Sequence, residues 1–101
     1  MKKTFPLQVP GKNDQRVLES LKNEVRKYVR REQRKTPPEG FNRWEFACRV
    51  GPDAATAAPR LLSEVIAAIE ATAKAGGAAV YVEILANPVL FNPPEESEAL
   101  G

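Results

Sequence analysis

Along residues 43–51, Trp44, Phe46, Cys48 and Val50 alternate with Arg43, Glu45, Ala47 and Arg49. A period of two puts these sets on opposite faces of a β-strand, one dry and one wet. A single strand cannot bury such a face. The chain must therefore supply both a sheet and a second layer to cover it. No other feature restricts the fold as far.

The remaining segments provide those parts. In residues 3–9, Phe5, Leu7 and Val9 alternate with Thr4, Pro6 and Gln8. Pro6 cannot donate a ladder hydrogen bond, so this strand is expected at a sheet edge, ended by Pro10-Gly11. Residues 78–85 read as a third strand, with Val80, Val82 and Ile84 inward and Tyr81, Glu83 and Leu85 on the other face. Asn87-Pro88 is expected to break it, and residues 89–91 form a short edge strand or fold back as a flap. Between the strands the period changes to that of a helix. Asn13 or Asp14 can cap a first helix whose stripe is Val17, Leu18, Leu21, Val25, Tyr28 and Val29. Thr36-Pro37-Pro38-Glu39-Gly40 stops it. After a turn at Gly51-Pro52-Asp53, a second helix is expected near Thr56, because that start leaves Pro59 in the first turn. Its stripe is Leu62, Val65, Ile66, Ile69 and Ala73, and Gly76-Gly77 closes it.

The expected fold is a two-layer α/β sandwich (α+β or α/β) of order β-α-β-α-β. A three-stranded sheet carries both helices on one face, with strand directions open. Residues 1–91 form one domain, and 92–101 an acidic tail without fixed order.

Composition removes many chemistries. The chain has no histidine and one cysteine, which excludes imidazole-based nucleophilic triads and Cys-rich or His-containing metal clusters. Cys48 reads as a core residue. There is no phosphate-binding glycine loop, and no cofactor is implied. Glu45 and Glu83 share the wet face, where carboxylate chemistry is conceivable, but exposed glutamates beside arginines usually form surface ion pairs. A non-enzymatic protein is the expectation. No apolar run is long enough to span a membrane and no signal-peptide core follows Met1, so a cytoplasmic protein is expected.

The net charge of +2 hides an asymmetry. Residues 1–49 hold thirteen Lys/Arg against six Asp/Glu, and residues 50–101 two against seven. On the first helix Arg16, Arg26, Lys27, Arg30, Arg31 and Arg34 fall on the side opposite Leu21 and Val25, with Lys35 just beyond. Glu32 takes the place of the next apolar residue. The last turn and a half is therefore expected to project into water, and Glu19–Lys22 and Glu24–Lys27 to pair along the surface. Such charges usually dress a solvated face. A nearly one-signed face nevertheless repels itself and calls for an external counter-charge. The candidate anion or nucleic-acid contacts are Arg26, Lys27, Arg30, Arg31, Arg34 and Lys35. Arg43, Arg49 and Tyr81 on the wet sheet face are secondary candidates. The alternative is a protein-interaction domain, with an acidic protein or a second copy as partner, driven by charge asymmetry and open sheet edges.

The stretches MKKTFPL (1–7), PEG (38–40), WEFACRVG (44–51) and VYVEILANP (80–88), with the basic helix, together resemble a family of short bacterial proteins known only as a domain of unknown function. The likeness covers about residues 1–88. It implies a bacterial cytosolic protein and carries no activity and no site residues.

Overall fold

The computed structural model describes residues 1–92. Their elements are β1 (Lys2–Pro6), α1 (Asp14–Arg34), β2 (Arg43–Gly51), β3 (Ala58–Arg60), a 3₁₀ turn (Leu62–Glu64), α2 (Val65–Lys74) and β4 (Ala79–Val89). The acidic segment expected at 92–101 lies, from Pro93 onward, outside the described residues.

The sheet has four strands in the order β1-β4-β2-β3, and every neighbouring pair is antiparallel. β1 and β2 therefore run parallel with β4 between them, and β3 and β4 run parallel with β2 between them. These are two interlocked split β-α-β units. The register stacks Phe5 beside Val80, Val50 beside Val82 and Cys48 beside Ile84. All six side chains face the helices and are buried, together with Leu7, Leu21 and Val25 from the first part of the chain and Val65 and Ile69 from α2. Both helices thus cover one face, as the alternation required. Burial pushes the Cys48 thiol pKa up, consistent with an inert core residue.

Two features correct the expected β-α-β-α-β order with three strands. First, residues 58–60 form an edge strand against β2 rather than the start of a helix. Thr56 is not a helix cap. Its N–H and hydroxyl both donate to Asp53 Oδ1 at 2.9 Å, folding residues 53–56 into a turn. The chain then returns so close to β2 that a Cβ on Gly51 would lie 2.7 Å from Ala57 Cα. The helical segment begins after Leu61, whose N–H donates to Glu64 Oε1 at 2.9 Å. Second, β4 runs unbroken through Asn87-Pro88, and Val89 ends it opposite Arg43. Residues 87–89 are neither a break nor a separate edge strand.

The prolines explain both. Met1 and Ile84 exchange two hydrogen bonds, of 2.7 and 2.8 Å, and the Leu7 N–H donates to the Ala78 carbonyl at 2.8 Å. The odd residues of β1 and the even residues of β4 therefore turn their peptide groups toward each other. Pro6 then faces the open edge. Pro88, by the same parity, faces away from β2, past the point where β1 stops. Carrying the alternation across β2 turns Pro59 outward as well. No strand proline costs a ladder bond.

The ends of the helices follow the sequence closely. Asn13 Oδ1 accepts from the N–H groups of Gln15 and Arg16 at 2.8 and 3.2 Å. After α2, Gly76 adopts φ +84°. Its N–H donates to the Ala73 carbonyl and that of Gly77 to Thr72, a Schellman closure that few non-glycine residues tolerate.

Candidate functional site

With 100° between successive residues, burying Leu21 and Val25 forces Arg16, Arg26, Lys27, Arg30, Arg31 and Arg34 outward. All six are exposed. Among the described residues, none of the six has a carboxylate partner within 4.0 Å. The nearby acids are engaged elsewhere. Glu24 pairs with Lys3 on β1 at 2.6 Å, not with Lys27 as the helical spacing suggested. Glu19 pairs with Lys22 at 2.9 Å, as expected, and Lys22 also reaches Glu70 on α2 at 3.1 Å. The hydrogen bond from Lys22 holds the Glu19 carboxyl below its ordinary pKa. Arg26 donates to Asn23 Oδ1 at 3.4 Å, and the Arg31 guanidinium lies 5.7 Å from the Tyr28 ring centre.

The last turn of α1 corrects the expected projection into water. Glu32 is half-buried, with its side chain 15 % exposed, beside Tyr28 and in an ion pair with Lys35. That pairing, more than the Tyr28 contact, holds the Glu32 carboxyl low against the opposing effect of burial. The Trp44 indole N–H then donates to the Lys35 carbonyl at 2.8 Å, fastening the helix end to β2. Lys35 is consequently a neutralised cation, unlike Arg30, Arg31 and Arg34. Next to the flank, a groove of about 260 Å³ runs between α1 and α2. Arg26, Arg30 and Gln33 supply its polar rim, and Val29, Leu62 and Ile66 part of its apolar floor.

The secondary candidates are placed on the outer sheet face as read, but each is occupied. The Tyr81 hydroxyl donates to Glu83 Oε1 at 2.7 Å, and the residue is 8 % exposed, so it offers no open ring for stacking. Arg49 donates to Glu83 at 3.4 Å and to the carbonyls of Ala54 and Ala57 at 2.9 and 3.2 Å, which clasps the β2–β3 turn. The guanidinium of Arg43 sits 4.1 Å from the Phe91 ring centre. The Tyr81 hydrogen bond foremost, then the charges of Arg49 and Lys2, lower the Glu83 pKa. Glu45 pairs across the sheet with Asn87 and Glu83 with Arg49. Four residues along the strand, roughly 13 Å, separate the two carboxylates, so the fold does not bring them together. No group of acidic or sulfur ligands suited to a metal occurs among the described residues.

Lys22 is the residue that sequence reading undervalued. It is buried to 7 % exposure, next to Leu21 on the stripe, and ties α1 to α2. Its position at the border of the apolar face was the available signal. Glu70 as partner was not visible, since it lies 48 residues away.

Fold and site together define a small two-layer α+β protein with a four-stranded antiparallel sheet and a cationic helix flank. The chain belongs to a family of unknown function (DUF6172), whose model matches residues 1–92. No curated protein and no solved structure matches it. Among the described residues, no helix is long and apolar enough to cross a membrane.

Proposed function

We propose that this protein is a non-enzymatic binding module that lays the outer flank of α1 against a polyanion, with nucleic acid as the fitting class. The observation that supports it is the absence of carboxylate partners, among the described residues, for Arg16, Arg26, Lys27, Arg30, Arg31 and Arg34. Glu19, Glu24, Glu32 and Glu70 lie on the helices and make their direct ion pairs with lysines, while Arg26 and Arg31 act on Glu19 and Glu32 only from farther off. A one-signed, solvent-facing row gains most from an external counter-charge. Arg26, Arg30 and Arg34 stand one turn apart, forming a row of about 12 Å. Contacts of this kind go to phosphates, so binding is salt-sensitive and weakly sequence-specific.

The other readings draw less support. Edge-to-edge self-association meets Pro6 and Pro59, whose nitrogens face outward on the two edge strands and remove a donor from each. A carboxylate enzyme would need Glu45 and Glu83 in one concavity, and the grooves at β1–α1, α1–α2 and β3–α2 are lined by neither.

Titration of fluorescein-labelled single-stranded and duplex 20-mers, followed by anisotropy, tests the proposal. Binding is expected at about 20 mM salt, falling with a log–log salt slope of roughly −3 to −4 if four phosphates are contacted. No binding to either oligonucleotide at the lower salt removes it.

A further inference from the structure

The open edge of β1 borders a groove that the polyanion reading leaves unused. The Met1–Ile84 and Leu7–Ala78 bonds set a parity that turns the peptide groups of Lys2, Thr4 and Pro6 away from β4. β1 is the outermost strand of the sheet. The N–H groups of Lys2 and Thr4 and the carbonyls of Lys2, Thr4 and Pro6 therefore have no strand partner among the described residues. Pro6 lacks a donor, which limits the edge to a short added segment. Alongside, between β1 and α1, lies a groove of about 910 Å³. Buried Phe5 and Leu21 and half-buried Val9 and Val17 give it an apolar lining.

The charge of the groove says what fits it. Glu24 is the acid among its lining residues, and Lys3 neutralises it at 2.6 Å. Lys3 reaches from β1 to α1 there, its ammonium 4.8 Å from the Phe5 ring centre. Arg16 stands two turns earlier on α1, about 12 Å away. It and Lys12 are exposed and have no carboxylate partner among the described residues. One end of the groove is thus neutral and the other cationic. An occupant held by the β1 backbone is extended, and an extended chain places alternate side chains on one face about 7 Å apart. We infer that β1 and this groove accept an extended segment of a partner protein, apolar at alternate positions and carrying an aspartate or glutamate at Lys12 and Arg16. The segment adds to the sheet as a short strand beside β1. Of the cations on the outer flank of α1, Arg16 alone lines the groove, so the inference does not rest on the polyanion reading.

Panning the full chain against displayed random octapeptides, fused through their C-termini, tests the inference. Enriched sequences are expected to carry alternating apolar residues and an acid at the next alternate position. No enrichment, or enrichment of basic sequences, overturns it. A selected peptide, synthesised with both ends capped, is then titrated into labelled protein. Backbone amide signals of residues 2–6 and 12–21 are expected to shift. Shifts confined to residues 26–34 would put the peptide on the cationic flank and overturn the inference. So would a Thr4 amide signal that moves with protein concentration alone, because a second copy of the chain would then occupy the edge.

N-methylation of the peptide separates strand addition from simple charge attraction. Methyl groups on the alternate nitrogens that face β1 block its ladder bonds, and affinity is expected to fall about tenfold or more. Methyl groups on the intervening nitrogens are expected to leave affinity within about twofold of the parent peptide. Equal losses for the two patterns overturn the inference. A K12E/R16E variant of the protein is expected to bind the parent peptide about tenfold more weakly, with an unchanged Tm as the control for folding. Unchanged affinity in that variant also overturns the inference.

Discussion

Glu83 lies beneath the Tyr81 hydroxyl and beside Arg49 and Lys2, and these partners hold its carboxyl below the ordinary value. An unfolded glutamate titrates near ~4.3. With the folded value lower, the stabilisation is complete above ~4.3 and is lost as the pH falls through the folded value. Glu19 and Glu32 are lowered in the same direction, so they add to the same acid limb. Glu83→Gln is expected to lower the Tm at pH 7 and to flatten its decline below about pH 4.5. Superimposable pH profiles for variant and parent would refute this assignment. Gly51 carries a different load. A Cβ there would meet Ala57 Cα, a backbone atom that cannot swing aside. Gly51→Ala is expected to cost about 1–3 kcal/mol in urea unfolding, as overpacked sites do, and an unchanged midpoint would show that the β2–β3 turn yields freely. The dry side of β2 was legible from alternation alone. The tight approach at Gly51 was not, because it depends on a turn that returns to touch it.

Among the elements, α1 was the most legible. Its cap, its stripe and its proline stop are local, and each reappears in the structure. Asn13→Ala is expected to cost about 1 kcal/mol, since it strips the acceptor from two first-turn N–H groups, with chemical denaturation as the measure. β3 and the end of β4 were misread for one reason. Proline was taken as a breaker of strands and a starter of helices at Pro59 and Pro88, whereas at Pro6 it was taken as an edge marker. All three in fact turn a nitrogen toward an unpaired edge. Which side the nitrogen faces depends on register, and register is a relation between strands.

Across the whole molecule, the cationic first half and acidic second half do not simply cancel. Among the described residues, two cross-element ion pairs, Lys22–Glu70 and Arg49–Glu83, join the halves, and the outer side of α1 has no carboxylate partner. Reversal of Arg30, Arg31 and Arg34 to glutamate is therefore expected to leave the Tm within a few degrees of the parent. The same variant should lose oligonucleotide affinity by tenfold or more at low salt. A large fall in Tm would show that these residues act in the fold instead, and unchanged affinity would place the contact elsewhere.

Read alone, the order of the residues determined which faces are dry, where α1 begins and ends, and that its cations share a side, because periodicity and capping act over a few neighbouring residues. The tertiary structure decided the rest: the strand order, the edge positions of Pro59 and Pro88, the burial of Tyr81, and the pairing of Glu24 with Lys3 and of Glu70 with Lys22. Those outcomes join residues many positions apart. Only the packed sheet and helices bring such residues within the few ångströms over which hydrogen bonds and ion pairs select their partners.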